Sequence, residues 1–328
     1  MNPVAVRAPL RISFVGGGTD FPAFYEQHGE GAVVSAAIDK HVYVCIGADP
    51  HSVTSALAHH QPSAELQPVP LRGDADDPMI REALRLAPVD SGLWAAWSSD
   101  VPSGTGLGSS SSLAVALLQA LHAVRGEHAT PDVLAREASR LEIELLGLPI
   151  GVQDHYAAAF GGVNLFRFSR EGVSVRPLKI GAQLLDAVLM LRIAGTRASG
   201  SILATQKSRI PDNAERLREL SRSAILLAER LESAFEPALL GSAIHEGWLH
   251  KREFAPNVST PVIDEAYALA LQAGALGGKL CGAGTAGYLL LAVSPADKAR
   301  VRSQLPHLPS LQVGLSPSGS ELLSQKSV

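Results

Sequence analysis

The sequence predicts an α+β chain of two domains that divide near residue 170. Three observations carry this reading. Short apolar runs alternate with Gly and Asp turns from Val4 to about Ser55, as strands do. Several later stretches repeat apolar residues every three or four positions, as amphipathic helices require. A chain of 328 residues is also long enough for two cores.

Leu10–Val15 and His41–Ile46 read as strands of the first half. Residues 56–80 are polar and hold Pro62, Pro68, Pro70 and Pro78, which marks an excursion. Leu93–Trp97 is an apolar run, followed after a glycine-rich joint by a helix with Leu113, Ala116, Leu117, Ala120, Leu121 and Val124 on one face. A second helix spans about Pro131 to Leu146, with Thr130 as N-cap and Pro131 in the first turn. Val163–Phe168 is a strand, and Ser169-Arg170-Glu171-Gly172 separates residues 1–170 from 171–328. The second half carries an apolar run at Ala187–Ala194, a long helix from about Asn213, a helix from about Pro261 to Gly274, and a strand at Tyr288–Val293.

Composition narrows the function. The net charge of −4 comes with no block of like charges, which argues against a nucleic-acid or anionic-membrane partner. The first residues lack a basic segment followed by an apolar one, and no apolar run reaches the roughly 18 residues of a membrane span. Cys45 and Cys281 lie far apart in apolar surroundings, so they read as small buried hydrophobes of a reducing compartment. The expected location is the cytoplasm.

The joint Val101-Pro102-Ser103-Gly104-Thr105-Gly106-Leu107-Gly108 leads into Ser109-Ser110-Ser111-Ser112. Its glycines permit positive φ and keep Cβ atoms away from a ligand, while the helix start that follows offers unpaired N–H donors and a positive dipole end. That combination suits phosphate. No Walker A lysine accompanies it, so backbone and serine hydroxyls are expected to hold Mg²⁺–ATP.

Two other patterns fail on context. Gly282-Ala283-Gly284-Thr285-Ala286-Gly287 has the dinucleotide spacing but precedes a strand where a helix should open. His245, Glu246 and His250 miss the H-E-x-x-H spacing by one residue.

Chemistry at a metal–phosphate site needs carboxylates. Glu142 and Glu144 stand two residues apart on a helix, so at most one points inward. Asp154 lies among small and apolar residues, where a carboxylate is costly unless paired, and it could relieve an acceptor hydroxyl of its proton. A helix N-cap remains its simpler role. Arg11, between Leu10 and Ile12, either lies on a solvated strand face or offers Asp154 a positive partner.

Four stretches taken together resemble the GHMP kinases, the superfamily of galactokinase, homoserine kinase and mevalonate kinase. They are Arg7–Arg11 with Gly16–Asp20, Pro102–Ser110, Gly151–Asp154 and Lys279–Gly284. The resemblance spans most of the chain. It implies an N-terminal α/β domain related to ribosomal protein S5 domain 2 and a C-terminal ferredoxin-like domain, with ATP and acceptor between them. Within the superfamily, Arg7–Asp20, Gly31–Lys40 and Gln153–Gly162 look most like the D-glycero-D-manno-heptose 7-phosphate kinases. Such enzymes phosphorylate the anomeric hydroxyl of a small-molecule sugar phosphate.

Carried over by position, Asp154 matches the family's catalytic aspartate and Arg11 the arginine beside it. Glu142 and Ser110 match its Mg²⁺ ligands. Pro102, Gly104, Gly106, Leu107, Gly108, Ser109, Ser110 and Ser111 match its ATP-binding loop. Gly17, Gly18, Thr19 and Asp20, with Gly282 and Gly284, match acceptor-binding positions. Arg197, at the end of an apolar strand, is the expected cation for the acceptor's own phosphate. Thr285 and Ala286 depart from the family's glycine run and add bulk there. Another sugar or mevalonate kinase of the superfamily, a noncatalytic sensor on the same scaffold, and a homo-oligomeric assembly stay open at this point.

Overall fold

A computed structural model describes residues 2–58, 66–195, 199–254, 256 and 258–323. Two antiparallel sheets organise it. The first has seven strands: β1 (Val4–Val15), β2 (Gly31–Gly47), β3 (Val69–Pro70), β4 (Trp94–Ser99), β5 (Val163–Ser169), β6 (Gly172–Pro177) and, far along the chain, β11 (Glu321–Leu323). The second, of four strands, runs β10 (Ser310–Leu311), β7 (Val188–Ile193), β9 (Gly287–Ala292), β8 (Gly277–Leu280). With helices between β7 and β8 and between β9 and β10, that is the strand order of a ferredoxin-like β-α-β-β-α-β unit.

Strand β2 is the spine of the first sheet. Its first half, Gly31–Ala36, pairs with β5, and its second, Val42–Gly47, pairs with β4. The expected division at residue 170 falls inside the β5–β6 hairpin, where Ser169 opposes Gly172. The polar tetrapeptide taken to mark the boundary is a tight turn, and β6 and β11 both belong to the first sheet.

A bulge in β1 decides where the site forms. Val6 and Ala8 pack against the helix Ser109–Val124, while Leu10, Ile12 and Phe14 pack toward the second sheet with Met190 and Leu290. All five positions are even, so an uninterrupted strand would keep them on one face. The register shift between Pro9 and Leu10 exchanges the faces. As a result Arg11 turns toward the helices and away from solvent.

Those helices are Ser109–Val124, Pro131–Ser139 and Gln153–Phe160. The helix predicted to reach Leu146 changes to π-helical winding over Arg140–Leu145, a feature common at functional sites. Glu142 lies on that turn, fully buried, whereas Glu144 faces outward beside Arg140. No described helix is long and apolar enough to cross a membrane.

Candidate active site

A cleft of about 360 Å³ opens between the two sheets. The glycine-rich joint forms one wall. Gly104, Gly106 and Gly108 all take positive φ, at 75°, 88° and 79°. At Gly106 a Cβ would lie 2.5 Å from the carbonyl oxygen of Cys281, so only glycine lets this loop touch the third glycine-rich stretch. Gly108 precedes the helix Ser109–Val124 without a side-chain cap, leaving first-turn N–H groups beside the cleft.

Arg11 binds three parts of the site together. Its Nε and Nη2 donate to the two oxygens of Asp154 at 2.7 and 2.5 Å, and Nη1 donates to the Gly106 carbonyl at 2.7 Å. The Arg11 backbone N–H also donates to Leu107 O at 3.0 Å. Asp154 is therefore a paired carboxylate in the helix Gln153–Phe160, and the position before that helix is Val152, so Asp154 does not cap it.

Asp20 is a second carboxylate of the cleft, tied to the start of the helix that carries Asp154. It is buried, and its oxygens accept from the N–H groups of Gly18 at 3.0 Å and Gln153 at 3.3 Å. A Cβ at Gly151 would sit 2.0 Å from Asp20 Oδ2, which explains the glycine there. Burial, reinforced by the charge of Asp154, raises the pKa of Asp20.

Glu142 reaches the loop from the π-helical turn. Its carboxylate accepts from Ser110 Oγ, from Ser111 Oγ at 2.6 Å and from His155 Nε2 at 2.7 Å. Burial alone would raise its pKa, but the bonds from His155, Ser110 and Ser111 outweigh burial and hold it below the usual range. A buried carboxylate beside an exposed serine hydroxyl, both facing the cleft, is an oxygen-only donor pair, and it fits a hard divalent ion such as Mg²⁺.

Of the positions picked from sequence, Arg11, Gly17, Gly18, Asp20, Gly104, Gly106 and Gly108 line this cleft. So do Ser109, Ser110, Ser111, Glu142, Asp154 and Gly282. Four do not, and they shape the walls instead. Thr19 is fully buried, its hydroxyl donating to Gly16 O and Ala32 O. Leu107 is core, Pro102 accepts from Thr105 Oγ1 outside the cleft, and Gly284 packs on Val258. Arg197 lies outside the described residues. Thr285 and Ala286, expected to crowd the acceptor, do not line the cleft.

Several residues escaped the sequence reading. Arg216, on the helix Ala214–Ser233, and Lys251, on the helix Pro237–Phe254, line the cleft. Nothing local marks them, because they sit on helices distant in sequence from Gly18. Lys279, which opens the matched stretch Lys279–Gly284 but was given no role there, also lines the cleft from the strand Gly277–Leu280. His155 gains its role only through a partner thirteen residues away.

The fold and this cleft define a phosphotransferase class. The chain matches the GHMP kinases N terminal domain over residues 79–162 and the GHMP kinases C terminal domain over residues 229–308. It belongs to the GHMP kinases and is an ATP-dependent kinase. It is 29% identical over 318 residues to the D-glycero-alpha-D-manno-heptose 7-phosphate kinase of Campylobacter jejuni, covering 91% of each chain. It is 31% identical to a galactokinase of Mycobacterium tuberculosis over 239 residues, 62% of this chain and 64% of that one. The crystal structure of a D-glycero-D-manno-heptose 1-phosphate kinase from Bacteroides thetaiotaomicron shares the fold, with a TM-score of 0.74 at 23% identity over 99% of this chain and 100% of that one.

Proposed function

We propose that this sugar kinase phosphorylates the anomeric hydroxyl of D-glycero-D-manno-heptose 7-phosphate, giving the 1,7-bisphosphate used for nucleotide-activated heptose. The observation that carries the reading is the two-pronged Arg11–Asp154 pair at the mouth of the glycine loop. Phosphoryl transfer needs an acceptor hydroxyl oriented and relieved of its proton close to bound phosphates. In this reading Asp154 takes that proton, and Arg11 fixes which way its carboxylate points. Asp20, with Gly17 and Gly18, orients the sugar.

The loop Gly104–Gly108 and Ser109–Ser111 would hold the ATP phosphates through backbone N–H and hydroxyl groups. Ser110 and Glu142 would hold Mg²⁺, which neutralises phosphate oxygens when bound. Residues 1–170 then supply the donor site and base, and residues 171–328 the third glycine stretch and the helical wall. Cys45 and Cys281, both buried and not joined in a disulfide, support a cytoplasmic location.

Charge in the cleft bears on whether the acceptor carries its own phosphate. Arg216 and Lys251, both in the cleft lining with Arg216 also paired to Glu253, support an anionic acceptor over a free sugar, because cations beside the acceptor favour a phosphate. A galactose- or fucose-type reading competes on sequence similarity alone. Turnover should be compared across heptose 7-phosphate, free heptose, galactose, fucose and mevalonate with a coupled ADP assay. The reading expects the highest kcat/KM for heptose 7-phosphate, and equal or higher values for a neutral sugar would overturn it.

A further inference from the structure

We propose that Lys279 is a catalytic residue of the transfer step, its ammonium contacting the phosphoryl group as it passes from ATP to the acceptor oxygen. The inference rests on the kinase assignment and is independent of which sugar is used.

The cleft is lined by several cationic side chains. Arg11 has the obvious position, yet its fork is committed to both oxygens of Asp154 and to Gly106 O. Lys251, on the helix Pro237–Phe254 that packs against β8, donates to the carbonyls of Leu280 and Gly282. Arg216 pairs with Glu253 at 2.9 Å. Lys279 differs from these three. Among the described residues no hydrogen bond or ion pair holds its ammonium, although the side chain lines the cleft. An ammonium drawn out of water without a counter-ion is costly, and a protein retains one where an anionic ligand completes it.

Its surroundings say which anion. Lys279 feels Cys281 on its own segment, Arg11 from β1, Asp20 from the turn after β1, and Asp154 from the helix Gln153–Phe160. Tyr267, on the helix Pro261–Gln272, approaches the neighbouring Gly278 and is bound to His245 at 2.6 Å. In the proposed function Asp154 and Asp20 are the groups that meet the acceptor, and Arg11 ties Asp154 to the phosphate loop. The ammonium thus sits where donor and acceptor meet. Burial, the largest influence, and then Arg11 lower its pKa to about 8, while Cys281, Asp20 and Asp154 oppose that.

The step balances simply. The acceptor hydroxyl oxygen forms a bond to the γ-phosphorus, and its proton goes to Asp154. The bond from that phosphorus to the β,γ-bridging oxygen breaks, and ADP leaves with the electron pair. Negative charge spreads over the three phosphoryl oxygens in flight, and a fixed cation there stabilises that arrangement more than the ground state. Lys279 remains protonated throughout.

The test uses the full chain, Mg²⁺–ATP and whichever acceptor of the panel above turns over fastest; if none does, hydrolysis of ATP by water serves. Lys279→Met should lower kcat by roughly two to three orders of magnitude with ATP affinity unchanged. Lys279→Arg separates charge from packing. In the native protein kcat/KM should fall above about pH 8, and in Lys279→Arg that limb should disappear, because a guanidinium does not titrate there. Circular dichroism confirms that each variant is folded. Full kcat in folded Lys279→Met, or an unmoved limb in Lys279→Arg, would overturn the proposal. A native protein inactive on every sugar would sink the sugar reading and leave this one to the hydrolysis assay.

Discussion

The guanidinium of Arg11 grips the carboxylate of Asp154 through two parallel hydrogen bonds of 2.7 and 2.5 Å, across 143 residues of sequence. The pair spans the boundary between β1 and the helix Gln153–Phe160, and a third bond from the same fork ties it to Gly106. Arg11 is 7% exposed, so the pair is shielded from water and from salt. Arg11→Met leaves Asp154 without its counter-charge and should cost about 3 kcal/mol of stability, measured by urea denaturation. Arg11→Lys keeps the charge and loses the fork. It should recover most of that stability but little of the kcat, since one ammonium cannot fix the direction of both carboxylate oxygens.

Asp154→Asn tests the proton role. The amide keeps the shape and cannot accept the acceptor's proton. Turnover should fall by at least roughly two orders of magnitude, while calorimetric titration should show ATP binding intact. Activity surviving at the native level would assign the proton elsewhere.

Glu142 links the cleft to acid stability. Its folded pKa lies below the unfolded value near 4.5, so its contribution to stability is complete above that pH and is lost as pH falls through the folded value. Glu142→Gln should flatten this acid limb of the melting temperature. The same variant should need more Mg²⁺ for half-maximal turnover, because Ser110 loses its anionic neighbour. An unchanged Mg²⁺ requirement would remove Glu142 from the metal shell.

Thr285 sits at φ 64°, in the left-handed region, and its buried hydroxyl has no hydrogen-bond partner. A β-branched residue there costs roughly 1–2 kcal/mol, part of which glycine gives back through the entropy of the unfolded chain. Thr285→Gly should therefore stabilise the protein by about 1 kcal/mol in urea denaturation. A loss of stability would mean that the side chain makes a contact worth more than its strain.

The glycine loop was legible from its own composition, which admits few roles other than holding an anion. Asp154 was open against a helix N-cap and Glu142 against Glu144, and Asp20 came only through the family resemblance. Arg11 was left between two faces of its strand. Only the bulge at Pro9 and Leu10, invisible to a period-two pattern, turns it inward. The helix Pro237–Phe254 went unread because Gly241 and Gly247 interrupt its pattern. In the fold, Gly241 lets that helix meet the chain at Leu276, where a Cβ would sit 2.5 Å from the Leu276 side chain. That close approach carries His250 and Lys251 to the cleft. Such long-range packing has no local signature.

Phosphorus NMR of the product made from D-glycero-D-manno-heptose 7-phosphate and Mg²⁺–ATP tests the central claim most directly. The account predicts one ADP per sugar and a new phosphomonoester resonance coupled to the anomeric proton, beside the unchanged 7-phosphate. A phosphate on any other carbon, or ADP released with no sugar modified, would contradict it.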